Sequence, residues 1–267
     1  MSPSQSPITI RSLQTMKQQS QRITMLTAYD FTMARLLDDA GVDVLLVGDS
    51  LGMVVQGHTT TIPVTLAQMI YHAELVVRGS HRAMVVVDLP FPHGQLGVRK
   101  TLKVAARILK KTGCQAVKLE GGAEQAETIA ALVHAGIPVI AHVGLRPQSV
   151  HALGGYRVQR DGERLRGDAL AAQSAGAFCV LMECVPRELA KAITDELTVP
   201  TIGIGAGPDC DGQVLVTHDL LGLTVGRVPK FVRQTAQLGA AMRQAVAEYN
   251  QSVRDGSFPN DDESFNV

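Results

Sequence analysis

Three carboxylates stand where buried apolar runs end: Asp49 after Val44-Leu45-Leu46-Val47-Gly48, Asp88 after Met84-Val85-Val86-Val87, and Glu120 after Ala116-Val117-Lys118-Leu119. Continuous runs of this kind mark strands of a parallel sheet buried on both faces, and in barrel enzymes chemistry sits at the carboxyl ends of such strands. Three like charges on one rim repel each other and resist ionisation unless a cation offsets them. Oxygen donors with no Cys or paired His beside them favour Mg²⁺ over Zn²⁺. Asp49, Asp88 and Glu120 are therefore read as ligands of a hard divalent metal.

Lys118 lies two residues before Glu120, so both side chains leave the same face of their strand. The pair suits a metal carboxylate beside a lysine that holds substrate carboxylate or enolate charge; the alternative is a buried ion pair that closes the barrel. Ser50 follows Asp49 between two glycines, where a hydroxyl can donate to an anion, although Asp and Ser are also ordinary turn formers. Glu183 ends the run Val180-Leu181-Met182. A carboxyl there has a raised pKa and suits a general base, unless it is a hydrogen-bonded structural acid. His142, after Ile137 to Ala141, is a candidate for contacting a substrate oxygen or orienting a carboxylate, with a packing histidine as the alternative. Tyr29-Asp30, and Arg227 with Lys230, are candidates by position alone. Gly203-Ile204-Gly205-Ala206-Gly207 offers backbone donors to an anion. It fails the dinucleotide fingerprint, because Pro208 stands where the third glycine belongs.

Such residues converge only if alternating elements bring them to one end. Apolar runs at 23–28, 42–47, 83–87, 116–119, 137–141, 177–182, 200–204 and 223–225 predict eight strands. Helical periodicity over 31–40, 65–78, 124–135 and 168–175 lies between them, with a basic helix ending at Gly113 and another begun by Pro186. A short helix over 8–18 precedes the series, and a long one over 234–249 follows it. The stretch 142–167 holds Gly, Pro, Arg and a charged run, and is read as a flap over the barrel mouth. No linker divides the pattern. The expectation is one α/β domain over 1–267, a (β/α)8 TIM barrel, with a loose acidic tail over 256–267.

The chain has 267 residues, close to the roughly 250 of such a barrel. With 25 basic and 25 acidic side chains, no global field favours nucleic acid or anionic lipid. Aromatic residues at 4% and the absence of Trp also argue against a base-stacking surface. The cysteines, at 114, 179, 184 and 210, form no C-x-x-C pair, so small buried thiols in a reducing compartment are expected. The polar N-terminal stretch has no secretory apolar core, and no run reaches the roughly 20 residues of a membrane span. A cytoplasmic protein binding neither nucleic acid nor membrane is the expectation.

A set of strings spread over nearly the whole chain resembles the ketopantoate hydroxymethyltransferase family. They include Thr27-Ala28-Tyr29-Asp30, Leu46-Val47-Gly48-Asp49-Ser50-Leu51-Gly52, Asp88-Leu89-Pro90-Phe91, Val117-Lys118-Leu119-Glu120-Gly121-Gly122, Pro147-Gln148-Ser149, Gly154-Gly155-Tyr156, Glu183-Cys184-Val185-Pro186 and Pro229-Lys230-Phe231. Any one is weak, but the set in register is specific. The resemblance implies a Mg²⁺-dependent (β/α)8 enzyme related to phosphoenolpyruvate/isocitrate-lyase-like proteins, commonly a decameric homo-oligomer. It implies transfer of a one-carbon unit from 5,10-methylenetetrahydrofolate to 3-methyl-2-oxobutanoate, giving 2-dehydropantoate for pantothenate and coenzyme A. Asp49, Asp88 and Glu120 match the family's metal positions. Asp49, Ser50, Asp88 and Lys118 match its oxoacid-binding positions, and Glu183 its proton acceptor. The chain departs from the family pattern at Pro92-His93-Gly94, at Arg146 in place of a usual Thr, and at Glu263 before Ser264-Phe265.

Other classes use similar parts. A bond-cleaving lyase on this barrel would carry a reactive Cys after the fourth strand, and 121–136 has none. A Schiff-base aldolase would make Lys118 the nucleophile. A non-catalytic binding protein would have little use for so much buried charge.

Overall fold

The computed structural model describes residues 6–265. Eight parallel strands close into a barrel in chain order: β1 (Ile23–Thr27), β2 (Val44–Val47), β3 (Met84–Asp88), β4 (Ala116–Glu120), β5 (Val139–Gly144), β6 (Cys179–Glu183), β7 (Thr201–Ile204) and β8 (Gly212–Leu215). Helices α1 (Ile10–Gln18), α2 (Phe31–Asp39), α3 (Leu51–Val54), α4 (Leu66–Gly79), α5 (Val98–Thr112), α6 (Ala126–His134), α7 (Gly162–Ser174) and α8 (Arg187–Glu196) intervene. The fold is the (β/α)8 barrel that the patterning predicts. The chain forms two compact units, one ending at Val216 and one beginning at Thr217, and all eight strands belong to the first. Of the single span expected over 1–267, positions 1–5 and 266–267 lie outside the described residues.

The structure corrects three element expectations. The eighth strand is Gly212–Leu215, not 223–225. A loop, not a helix, joins β7 to β8, so a reading that requires a helix between every pair of strands passes over the short Val214-Leu215 signal. Helix α7 begins at Gly162, well before 168, because the Asp161 carboxylate accepts the Arg164 N–H and caps it. The charged stretch thus belongs partly to a helix, and the flap shortens. Helix α3 directly follows Asp49 and Ser50, in a stretch where the periodicity predicts neither helix nor strand.

Strand alternation sorts each strand's side chains into two sets. Val85, Val87, Val117, Leu119, Val139, Ala141, Val180 and Met182 pack in one cluster with helix residues such as Ala73, Val76, Ile108 and Ile129. The other set, Val44, Leu46, Met84, Val86, Ala116, Ile140, Cys179 and Leu181, fills the barrel with Leu13 of α1. Asp88, Lys118, Glu120, His142 and Glu183 continue this second set by steps of two. The apolar plug therefore ends in a polar layer at the strand C-termini.

The turn feeding β3 is fastened by Asp38, at the end of α2. Its carboxylate accepts the backbone N–H groups of His81 at 2.9 Å and Ala83 at 2.6 Å, with Arg82 N–H at 3.1 Å. Burial opposes the charge, but these donors outweigh it and hold the carboxyl below its usual pKa.

In the second unit, α9 (Thr217–Leu220) and α10 (Leu238–Asp255) are followed by a 3-10 turn at Asp261–Glu263. No residue of α10 is buried, and Leu238, Met242, Val246, Tyr249 and Val253 form an exposed apolar stripe at helical spacing. Residues 256–265 of the expected acidic tail are all exposed. No described helix is long and apolar enough to cross a membrane.

Asp38→Ala strands three backbone donors and is expected to destabilise the barrel by about 2–3 kcal/mol. A lowered urea midpoint at unchanged slope, with Asp38→Asn less affected, is the measurement.

Candidate active site

Strand register sets the polar layer. Asp88 pairs with Lys118, Glu120 with His142, and Gly144 with Glu183 across neighbouring strands. Asp49, Asp88, Lys118, Glu120 and His142 are all buried, and the Glu183 side chain keeps 16% of its surface exposed. Lys118 Nζ lies 3.2 Å from Asp88 Oδ1 and 2.9 Å from His142 Nδ1. His142 Nε2 is 3.3 Å from Glu183 Oε2, and its Nδ1 is 3.9 Å from Glu120 Oε1. Asp88 Oδ2 accepts the Asp49 backbone N–H at 3.0 Å. The residues expected from the sequence are thus adjacent at one rim.

Their charges conflict. Burial, then repulsion by Asp88, pushes the Asp49 carboxyl up to about 7 despite Lys118 and the Gln148 amide. Burial and Asp49 raise Glu120 well above the carboxylate range. Burial lifts Glu183 to about 7, with Lys118 pulling the other way. Burial also opposes the Lys118 ammonium, but Asp88, Glu120 and Asp49 together outweigh it and raise its pKa. Burial and then Lys118 hold His142 well below its usual value, so it is a neutral imidazole. One ammonium faces an excess of carboxyl groups. Among the described residues no three His, Cys, Asp or Glu side chains converge closely enough to hold a metal ion by themselves. Asp88 Oδ1 is nonetheless buried without an aligned hydrogen-bond donor among those residues.

Gln148, quoted in the sequence only as part of a string, joins the site. It lies in a 3-10 turn, Pro147–Ser149. Its Nε2 donates to Asp49 Oδ2 at 2.8 Å and to the Leu89 carbonyl at 2.9 Å, while its backbone N–H donates to Glu120 Oε2 at 3.1 Å. It links the loops after β2 and β3 to β4. No sequence pattern says that a loop glutamine turns inward. The neighbouring Arg146 pairs with Glu124 in the loop after β4. Tyr29, buried, shares a hydrogen bond of 2.9 Å with the Ser50 hydroxyl.

The backbone at Glu183 is tightly held. Its carbonyl accepts the Leu145 N–H at 2.8 Å, and a Cβ on Gly144 would fall 2.3 Å from that oxygen. Glycine is required there by close approach. The next residue, Cys184, has φ +50, an uncommon left-handed conformation for a side-chain-bearing residue. Asp30 caps α2 by accepting the Met33 N–H at 2.8 Å, and Arg227 and Lys230 belong to the second unit.

A family model described as ketopantoate hydroxymethyltransferase matches residues 7–261. The chain is 65% identical to a 3-methyl-2-oxobutanoate hydroxymethyltransferase of Rhodopirellula baltica, over 97% of each chain. It is 53% identical to one of Desulforapulum autotrophicum, over 97% of this chain and 98% of that one. Among solved structures, a phosphonopyruvate hydrolase superposes with TM-score 0.64 at 14% identity, over 97% of this chain and 92% of that one. A 2,3-dimethylmalate lyase superposes with TM-score 0.60 at 20% identity, over 96% and 91%. At these identities the structural likeness shows the fold alone.

The raised carboxyl groups have a definite linkage sign. Between about pH 4, where unfolded carboxyls ionise, and about 7, folded Asp49 and Glu183 hold protons that the unfolded chain has released. This contribution to stability therefore falls as pH rises through that window. Melting in EDTA is expected to show a decline over this range that Asp49→Asn reduces. Added Mg²⁺ should raise Tm more at about pH 8 than at about pH 5.5, because the ion competes with protons. No Mg²⁺ effect at either pH counts against an ion at this rim.

Proposed function

The chain belongs to the ketopantoate hydroxymethyltransferase family, and from that premise we propose that it transfers a one-carbon unit from 5,10-methylenetetrahydrofolate to 3-methyl-2-oxobutanoate, forming 2-dehydropantoate for pantothenate and coenzyme A. The observation that carries this reading is the juxtaposition, at one rim, of a buried lysine with Asp49, Asp88, Glu120 and Glu183. An α-oxo acid brings a carboxylate and a carbonyl oxygen, and the reaction must develop further negative charge there.

Asp49, Asp88 and Glu120 are the residues that would hold Mg²⁺, and the ion's charge would favour the enolate form of the oxo acid. All-oxygen donors and the repulsion at Asp49 and Glu120 support this fit. Since the three do not enclose an ion unaided, substrate oxygens and water would complete its shell. The Lys118 ammonium, held charged by its carboxylates, offsets charge on the oxo acid. The Ser50 hydroxyl, fixed by Tyr29, donates to the same group. Glu183, with a pKa of about 7, takes the proton from C3. Neutral His142 lies between Lys118 and Glu183 and orients the carboxylate. The carbon so freed bonds to the methylene group of the folate after one of that group's two C–N bonds has opened. Water then replaces the second nitrogen, so the hydroxyl oxygen comes from water, and tetrahydrofolate leaves with the C3 proton and one proton of water on its two nitrogens.

The raised Lys118 pKa weighs against a Schiff-base route, which needs the free amine. The exposed apolar stripe of α10 supports a homo-oligomer. Four free thiols suit a cytoplasmic setting.

Glu183→Gln is expected to retain oxo-acid binding while exchange of the C3 proton with deuterated water slows by about 10²–10⁴-fold. The NMR exchange assay needs no folate. Near-wild-type exchange in the variant would remove Glu183 from the role.

A further inference from the structure

Three loops leave the barrel at the acid-bearing rim, and each presents apolar surface to solvent. Met53 on α3 is 39% exposed, Phe91 after β3 is 38% exposed, and Tyr156 on the flap after β5 is 49% exposed. Single exposed apolar side chains are ordinary. Tyr156, however, is tethered across the mouth. Its hydroxyl donates to Met53 Sδ at 3.6 Å, linking the flap to the helix that directly follows Asp49 and Ser50. Farther along the flap, the Gln159 N–H donates to the Cys184 carbonyl at 2.9 Å, beside Glu183. The flap therefore runs from the side of the barrel that carries the proposed base to the side that carries Asp49. Burial, followed by Asp49, Glu183 and Glu120, raises the Tyr156 phenol, so the ring lies within the field of the acids. The same flap carries Arg157 and Arg160, both exposed and without an ion-pair partner among the described residues.

The oxo acid is small and is served by Lys118, Ser50 and the carboxylates. An aromatic face and a polarisable thioether above it have no task in that chemistry. Together they suit a flat heteroaromatic body, and the guanidinium groups alongside suit a carboxylate tail. We propose that Tyr156 and Met53 hold the pteridine ring of the folate over the acid layer, with Arg157 and Arg160 facing its glutamate tail. The proposal rests on the one-carbon transfer reading above and assigns the half of that site which the oxo acid leaves unused. A ring held here faces both Glu183 and Asp49, the direction from which the methylene group must meet C3.

The test is calorimetric titration of tetrahydrofolate into the full-length protein with Mg²⁺ and no oxo acid. Tyr156→Ala is expected to weaken binding by about 5- to 100-fold, the range for loss of one aromatic stacking platform. Tyr156→Phe should restore affinity, because the ring and not the hydroxyl makes the stack. Arg157→Ala with Arg160→Ala should weaken binding by an amount that shrinks as salt is added. In steady state, Tyr156→Ala should raise the KM for 5,10-methylenetetrahydrofolate far more than that for 3-methyl-2-oxobutanoate. Unchanged tetrahydrofolate affinity in Tyr156→Ala, or an effect confined to the KM of the oxo acid, overturns the assignment and leaves Tyr156 a simple lid. A wild-type protein that does not bind tetrahydrofolate overturns it as well. Absence of C3 exchange in the wild type strikes the oxo-acid chemistry instead, and the titration reads independently of it.

Discussion

The structure turns on an electrostatic conflict at the end of an apolar barrel. Burying one ionised carboxylate costs several kcal/mol even after relaxation. Here Asp49, Asp88, Glu120 and Glu183 share a rim with Lys118 as the ammonium among them. A fold has little reason to maintain that excess for stability, since apolar residues of similar volume pack as well or better. Under the proposed function the excess would be matched by a doubly charged ion bound beside the oxo acid. Burial brings Glu183 to a pKa of about 7, where it can take up and release a proton near neutrality.

Everything around this layer restricts its freedom. The strands fix Asp88, Lys118, Glu120, His142 and Glu183 through register, and a packed plug of Met84, Val86, Ala116, Ile140 and Leu181 lies beneath them. Gln148 reaches in from a turn and satisfies oxygens of Asp49 and Glu120 together. The less constrained parts are on the solvent side, where the flap bearing Tyr156 meets α3 through one weak sulfur contact. A packed charged floor beneath an exposed apolar rim matches the proposed division of the site between a small oxo acid and a larger co-substrate.

The likeness to phosphonopyruvate hydrolase and dimethylmalate lyase concerns the barrel. Function is argued from side chains, because one barrel supports many chemistries by varying its rim. Two of the departures from the family pattern lie on loops after barrel strands, Pro92-His93-Gly94 after β3 and Arg146 after β5. Arg146 pairs with Glu124 and so ties the base of the flap to the loop after β4. Nothing in the structure explains Pro92-His93-Gly94 as a change of chemistry.

Much of this was legible in the amino-acid order. Unbroken Val and Leu runs specify strands buried on both faces, and the period of two puts Lys118 and Glu120 on one side. A carboxylate at the end of such a run marks the rim whatever the rest of the chain does. The place of β8 was less legible, because a loop stands where the repeating pattern calls for a helix. The start of α7 was masked by a charged run that Asp161 caps. Closure of the barrel alone decided that Gln148 bridges Asp49 to Glu120, that Tyr29 meets Ser50, and that Tyr156 reaches Met53. Those contacts join residues far apart in the chain, whereas periodicity reports only which way a side chain leaves its own element.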